Sequence, residues 1–175
     1  RVYRVNAKSR ALINTIPQRS RLGSLKQRQR FFDMALETSS LLIVEDNPAD
    51  MTLYLRLLED VDHGFGHIEC VSTIKAASDS LASGSKLACC LLDFNLPDGS
   101  ALNLLESFQN NHKLAPCPIV IITGQEDTKN AVRLLKLGVQ DYIVKDELSP
   151  NTLIRTIQNA VQTWTLTKQL EQLAL

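Results

Sequence analysis

Five short apolar runs, each followed by a stretch with helical spacing, organise the chain from residue 41 onward. The runs fall at residues 41–44, 68–71, 87–92, 119–122 and 142–144, and their apolar residues are consecutive instead of alternating with polar ones. A strand that is apolar on successive positions is covered on both faces. Strands joined by helices run parallel, because the crossover returns the chain to the same edge of the sheet. The fold class is therefore α/β: a doubly wound, five-stranded parallel sheet with helices on both faces.

The helix boundaries agree with this order. Asn47 is a good N-cap and Pro48 a good first helical residue ahead of Met51, Leu53, Leu55, Leu57 and Leu58. Ser149 and Pro150 repeat the device ahead of Leu153, Ile154, Ile157, Val161 and Trp164. Two further helices are predicted over 74–82 and 101–110. Gly138 closes the run 131–137 as a C-terminal glycine does.

A chain of 175 residues with 44% hydrophobic residues can bury one good core. Its formal net charge of zero hides an asymmetry. Residues 1–38 hold nine Lys/Arg and two acids, and residues 39–175 hold ten and seventeen. The first segment lacks sustained periodicity and reads as an unstructured basic arm, or as a stretch foreign to the domain, without a specific function. Residues 39–164 form the domain, and 165–175 a helical extension. No apolar stretch approaches the roughly 20 residues of a membrane span, and no secretory signal opens the chain. Cys70, Cys89, Cys90 and Cys117 lack C-x-x-C spacing, and three lie in or beside apolar runs. They read as reduced thiols in a cytoplasmic protein, not as a zinc site. His63, His67 and His112 read as solvated loop residues.

In such sheets ligands sit outside the carboxyl ends of the strands. The first strand ends in Glu45 and Asp46, the third in Asp93, the fourth in Thr123 and Gly124, and the fifth in Lys145. Each has an ordinary explanation alone, as a helix-end charge, a turn or a solvated lysine. Together they do not. Three carboxylates from two neighbouring strand ends suppress one another's ionisation unless a cation sits among them, and hard oxygen ligands suit Mg²⁺. With a metal and a lysine beside it, Asp93 could attack phosphorus and form an aspartyl phosphate, with the Thr123 hydroxyl near the transferred group.

These residues resemble the receiver domain of two-component response regulators over about residues 41–164. The match is carried by Glu45-Asp46, by Asp93 in LLDFNLPDGS, by Thr123 in IVIITGQ and by Lys145 in DYIVKDELS. The resemblance implies the flavodoxin-like strand order 2-1-3-4-5 and Asp93 as phosphoacceptor. It also implies a Mg²⁺ site of Glu45, Asp46, Asp93 and the backbone carbonyl of Asn95. Thr123 would be the switch hydroxyl, Lys145 the phosphate-pairing cation and Tyr142 the coupled aromatic. A histidine kinase or histidine phosphotransfer protein would donate the phosphoryl group. A downstream protein or a second copy would read the face of the fourth helix, fifth strand and fifth helix. Such a domain is a signalling switch and not an enzyme beyond its own phosphorylation and dephosphorylation. The family usually has Pro after the lysine, often with a cis bond, where this chain has Asp146.

Thirty residues follow Lys145, too few for an added DNA-binding domain within this sequence. Leu166, Leu170 and Leu173 have the 4-then-3 spacing of a short coiled-coil seam, on the face opposite Leu153, Ile157 and Trp164. Two other readings compete: a phosphorylation-independent module on the same fold, or the receiver part of a larger hybrid sensor. A dehalogenase-type phosphatase would want Asp-x-Asp where this chain has Asp93-Phe94-Asn95.

Overall fold

The computed structural model describes residues 2–4, 30, 34, 36–111 and 114–174. The parallel strands are β2 (Ser40–Val44), β3 (His67–Val71), β4 (Leu87–Asp93), β7 (Ile119–Thr123) and β8 (Asp141–Val144). They lie in the spatial order β3-β2-β4-β7-β8, the doubly wound order expected. All four neighbouring pairs are parallel.

The sheet has one strand more than expected. β1 (Val2–Arg4) pairs antiparallel with the outer edge of β3, Val2 opposite Glu69 and Arg4 opposite His67. Residues 2–4 thus depart from the reading of an unstructured arm, because an open sheet edge offers unpaired backbone groups that any nearby extended segment can satisfy. Most of the remaining basic segment lies outside the described residues.

The α-helices with defined bounds among the described residues are α1 (Pro48–Glu59), α2 (Ile74–Ala82), α3 (Ala101–Asn110), α4 (Ala131–Lys136) and α5 (Pro150–Leu173). Their starts follow the sequence signals. The Asn47 side chain accepts from the backbone N–H groups of Ala49 and Asp50, and the Ser149 side chain accepts from that of Thr152. Gly138, just past α4, has φ of 91°, a conformation glycine adopts without the steric cost a Cβ brings.

Successive strand residues point to opposite faces, and the core divides accordingly. On one face Leu41, Ile43, Cys89, Leu91, Val120, Ile122 and Ile143 pack with Tyr54 and Leu58 of α1 and Leu153 and Ile157 of α5. On the other, Leu42, Val44, Cys90, Leu92, Ile119 and Ile121 pack with α2, α3 and α4 through Ala77, Leu81, Leu104 and Leu134. Both faces are covered, which is why the strands read as unbroken apolar runs.

The histidine readings divide. His67 is exposed as expected but opens β3 instead of lying in a loop, and His63 is corrected: it is buried, its ring stacked on Phe65 and its Nδ1 accepting from the Phe65 N–H at 3.0 Å. Burial lowers the His63 pKa, so the neutral ring that can accept this bond is favoured. His112 lies outside the described residues. Among the described residues no helix is long and apolar enough to cross a membrane.

Candidate functional site

The register of β2 against β4 builds the centre of the site. Val44 lies opposite Leu92, so the next residues, Glu45 and Asp93, leave the sheet side by side. Both share the parity of Ile43 and Leu91 and so lie toward the α1 and α5 face. Glu45 and Asp93 are buried and Asp46 is exposed. One carboxylate oxygen from each of the three lies within 4.8 Å of the others. Hard oxygen donors with one side open to water suit a small divalent cation that keeps several waters.

Lys145, the first residue after β8, crosses the site. Its Nζ lies 2.9 Å from Asp50 Oδ2, 3.0 Å from Asp93 Oδ1 and 3.2 Å from Glu45 Oε2. Burial works against the charge of this ammonium, but the hydrogen bonds to Asp50 and Asp93 outweigh it and hold its pKa above the usual lysine range. Asp93 behaves the other way. Burial first, and the Glu45 charge second, push its pKa up to about 6, and Lys145 and the Phe94 N–H pull it only part of the way back. Among these residues, then, the Asp93 charge stays costly without a further cation.

The other expected residues lie on β7, on β8 and just after β4. Thr123 ends β7, is buried, and donates its hydroxyl to the Gly124 carbonyl at 3.0 Å. Tyr142 lies opposite Ile121 in the β7–β8 register, two residues back from the Thr123–Val144 pair, on the sheet face that Thr123 shares. Asn95 follows Asp93 by two and opens a small hairpin of β5 (Asn95–Leu96) and β6 (Gly99–Ser100). Its side-chain amide donates to Asp127 Oδ2 at 2.9 Å. At the position where the family usually has Pro, Lys145–Glu147 forms a 3₁₀ turn, and no peptide bond among the described residues is cis.

Two participants were not singled out from the sequence. Asp50, in the first turn of α1, is the third carboxylate on Lys145. Tyr54, one turn further and buried, donates its hydroxyl to Glu45 Oε2 at 3.0 Å, while the Asn47 N–H donates to Glu45 Oε1 at 2.9 Å. Burial and the neighbouring Glu45 charge hold the Tyr54 phenol protonated. The signal was present, since Asp50 and Tyr54 are four apart and share a helix face.

The arrangement offers one carboxylate, Asp93, beside two acids at a cation-ready position and within ion-pair distance of an ammonium. It can take up an electrophile that brings negative charge with it, of which a phosphoryl group is the clearest case.

Comparison with known proteins matches the profile of the response regulator receiver domain to residues 41–158. The chain is 33% identical over 105 residues to the transcriptional regulatory protein PmrA of Pectobacterium parmentieri, covering 60% of this chain and 45% of that protein. It is 33% identical over 109 residues to the photosynthetic apparatus regulatory protein RegA of Rhodovulum sulfidophilum, covering 62% and 56%. The chain spans about half the length of these curated relatives. Among solved structures, the N-terminal signal receiver domain of a two-component system response regulator from Bacteroides fragilis aligns with a TM-score of 0.58 at 26% identity, covering 70% of this chain and 96% of that one.

Proposed function

The chain belongs to the response regulator receiver domain family, and from that premise we propose that it is a phosphoryl-accepting switch with Asp93 as its acceptor. The observation that carries this reading is the convergence of Asp93 with Glu45, Asp46 and Lys145 at adjoining strand ends. A carboxylate oxygen of Asp93 forms the new bond to phosphorus while the bond from phosphorus to the donor breaks and its electron pair leaves with the donor. The donor is the phosphohistidine of a histidine kinase or phosphotransfer protein in the cytoplasm. Lys145 balances charge on the transferred oxygens, and the Thr123 hydroxyl turns from the Gly124 carbonyl to bond one of them. Glu45, Asp46, Asp93 and the Asn95 carbonyl would hold Mg²⁺. When bound, this ion supplies charge neutralisation for the acidic cluster and the phosphoryl oxygens. The protein promotes only its own phosphorylation and dephosphorylation.

The test is incubation with acetyl phosphate and Mg²⁺ followed by intact-mass measurement, with the addition of one phosphoryl group expected. A protein that stays unmodified would favour the phosphorylation-independent module. The metal assignment predicts that Asp46→Asn weakens Mg²⁺ binding by roughly tenfold, since replacing even an outer-shell partner costs at least that much. Calorimetry reads this directly, and equal affinities would remove Asp46 from the site.

The output is a face of α4, β8 and α5 that contacts a downstream protein or a second copy. Val132 and Leu135 of α4 are exposed there. A local charge event is read elsewhere only through an element with two populations. Beryllofluoride, a phosphoryl mimic, is therefore expected to shift the backbone NMR signals of residues 131–137 and of Tyr142. Thr123→Ala should blunt these shifts while Asp93 still accepts phosphate. Shifts confined to the loops at Asp46 and Asp93 would mean that nothing is transmitted. Service within a larger sensor is favoured by α5, which continues unbroken past Trp164 with Leu166, Leu170 and Leu173 exposed.

A further inference from the structure

An ammonium has three N–H donors, and Lys145 has three carboxylates within reach, on Asp50, Asp93 and Glu45. A phosphoryl group arriving on Asp93 brings new anionic oxygens to the same place. Lys145 can donate to one of them only by giving up a partner, and the three partners are not equal. The Glu45 side chain is 1% exposed, and the Tyr54 hydroxyl and the Asn47 N–H already fix its two oxygens. Releasing it would break a hydrogen bond to a carboxylate that bulk water cannot reach to replace it, a costly loss. Asp93 is 8% exposed and is joined to the phosphoryl group, so it stays beside Lys145 in any case. The Asp50 side chain is 32% exposed, and it lies in the first turn of α1, where the helix dipole favours a negative charge. Water can replace Lys145 there.

We propose that Asp50 is the exchangeable partner of Lys145. It is a positioning residue that holds the ammonium beside Asp93 before phosphoryl arrival and yields it afterwards. Because it competes for the same cation and adds negative charge close to the incoming group, it lowers the affinity of the site for that group. The inference rests on the phosphoryl-accepting reading of Asp93 and adds to it a residue that tunes the occupancy of the phosphorylated state.

The experiment titrates beryllofluoride into the protein at saturating Mg²⁺ and follows it by NMR. In the wild type the carboxyl carbon resonance of Asp50 should move on saturation, as its ammonium partner is replaced by water. Asp50→Asn should bind about three- to fivefold more tightly, the range expected for a part-exposed ion pair. Asp50→Glu, which keeps the charge, should stay near wild type, and so should Asp60→Asn at the exposed far end of α1. An unmoved Asp50 resonance, or Asp50→Asn binding no more tightly than wild type, overturns the proposal while leaving Asp93 as acceptor. A wild type that takes up no beryllofluoride overturns both.

Discussion

Asp93→Asn is expected to abolish phosphorylation outright. With acetyl phosphate and Mg²⁺ the wild type gains one phosphoryl group, and the variant should keep its unmodified mass over the same incubation. The amide places its atoms where the carboxylate had them but lacks the anionic oxygen that attacks phosphorus and carries the acyl phosphate. Neighbouring carboxylates do not substitute. Both Glu45 oxygens accept hydrogen bonds, from the Asn47 N–H and from Tyr54 and Lys145, and Asp46 is exposed to water. Labelling that persists in Asp93→Asn and maps to another residue would falsify the assignment.

The same substitution should change how stability depends on pH, in the absence of divalent cations. The Asp93 pKa is raised from 3.8 to about 6 by burial and by the Glu45 charge. Its folded-state pKa therefore exceeds its unfolded one, and between these values the folded chain binds the extra proton. Stability from this group is greatest below pH 3.8, falls as pH rises toward 6, and is flat above. The gap corresponds to roughly 3 kcal/mol. Asn cannot ionise. In urea unfolding with a chelator present, Asp93→Asn should gain on the wild type by about 2–3 kcal/mol between pH 4 and pH 7.5. Taking the difference between the two proteins cancels the titration of every other group that the substitution leaves alone. A difference that does not vary with pH would mean that Asp93 is not under this electrostatic load.

Asp93 shows how far the sequence reading of the site could go. Its place at the end of a doubly covered strand follows from the run Leu87 to Leu92 and the turn residues after it, because consecutive apolar residues can be satisfied only inside a two-sided core. Glu45, Asp46, Thr123 and Lys145 are legible for the same reason, as polar residues that abruptly end apolar runs at one edge of the sheet. The starts of α1 and α5 are equally local, being written in Asn47 and Ser149 at the N-cap positions.

What the sequence determined by itself, then, is whatever depends on neighbours along the chain: strand periodicity, caps, and which residues stand at strand ends. The tertiary structure decided the rest. The pairing of β1 on β3 brings residue 2 opposite residue 69, and no local pattern encodes a partner that distant. The burial of His63 depends on a stack with Phe65 packed into the core on the α1 and α5 side. The roles of Asp50 and Tyr54 depend on the rotation of α1 about its axis, which spacing along the helix leaves free until Leu58 and Tyr54 dock on the sheet. Once that rotation is set, the turn carrying Asp50 faces a lysine 95 residues away. Helical periodicity says which residues share a face. Only packing fixes what that face meets.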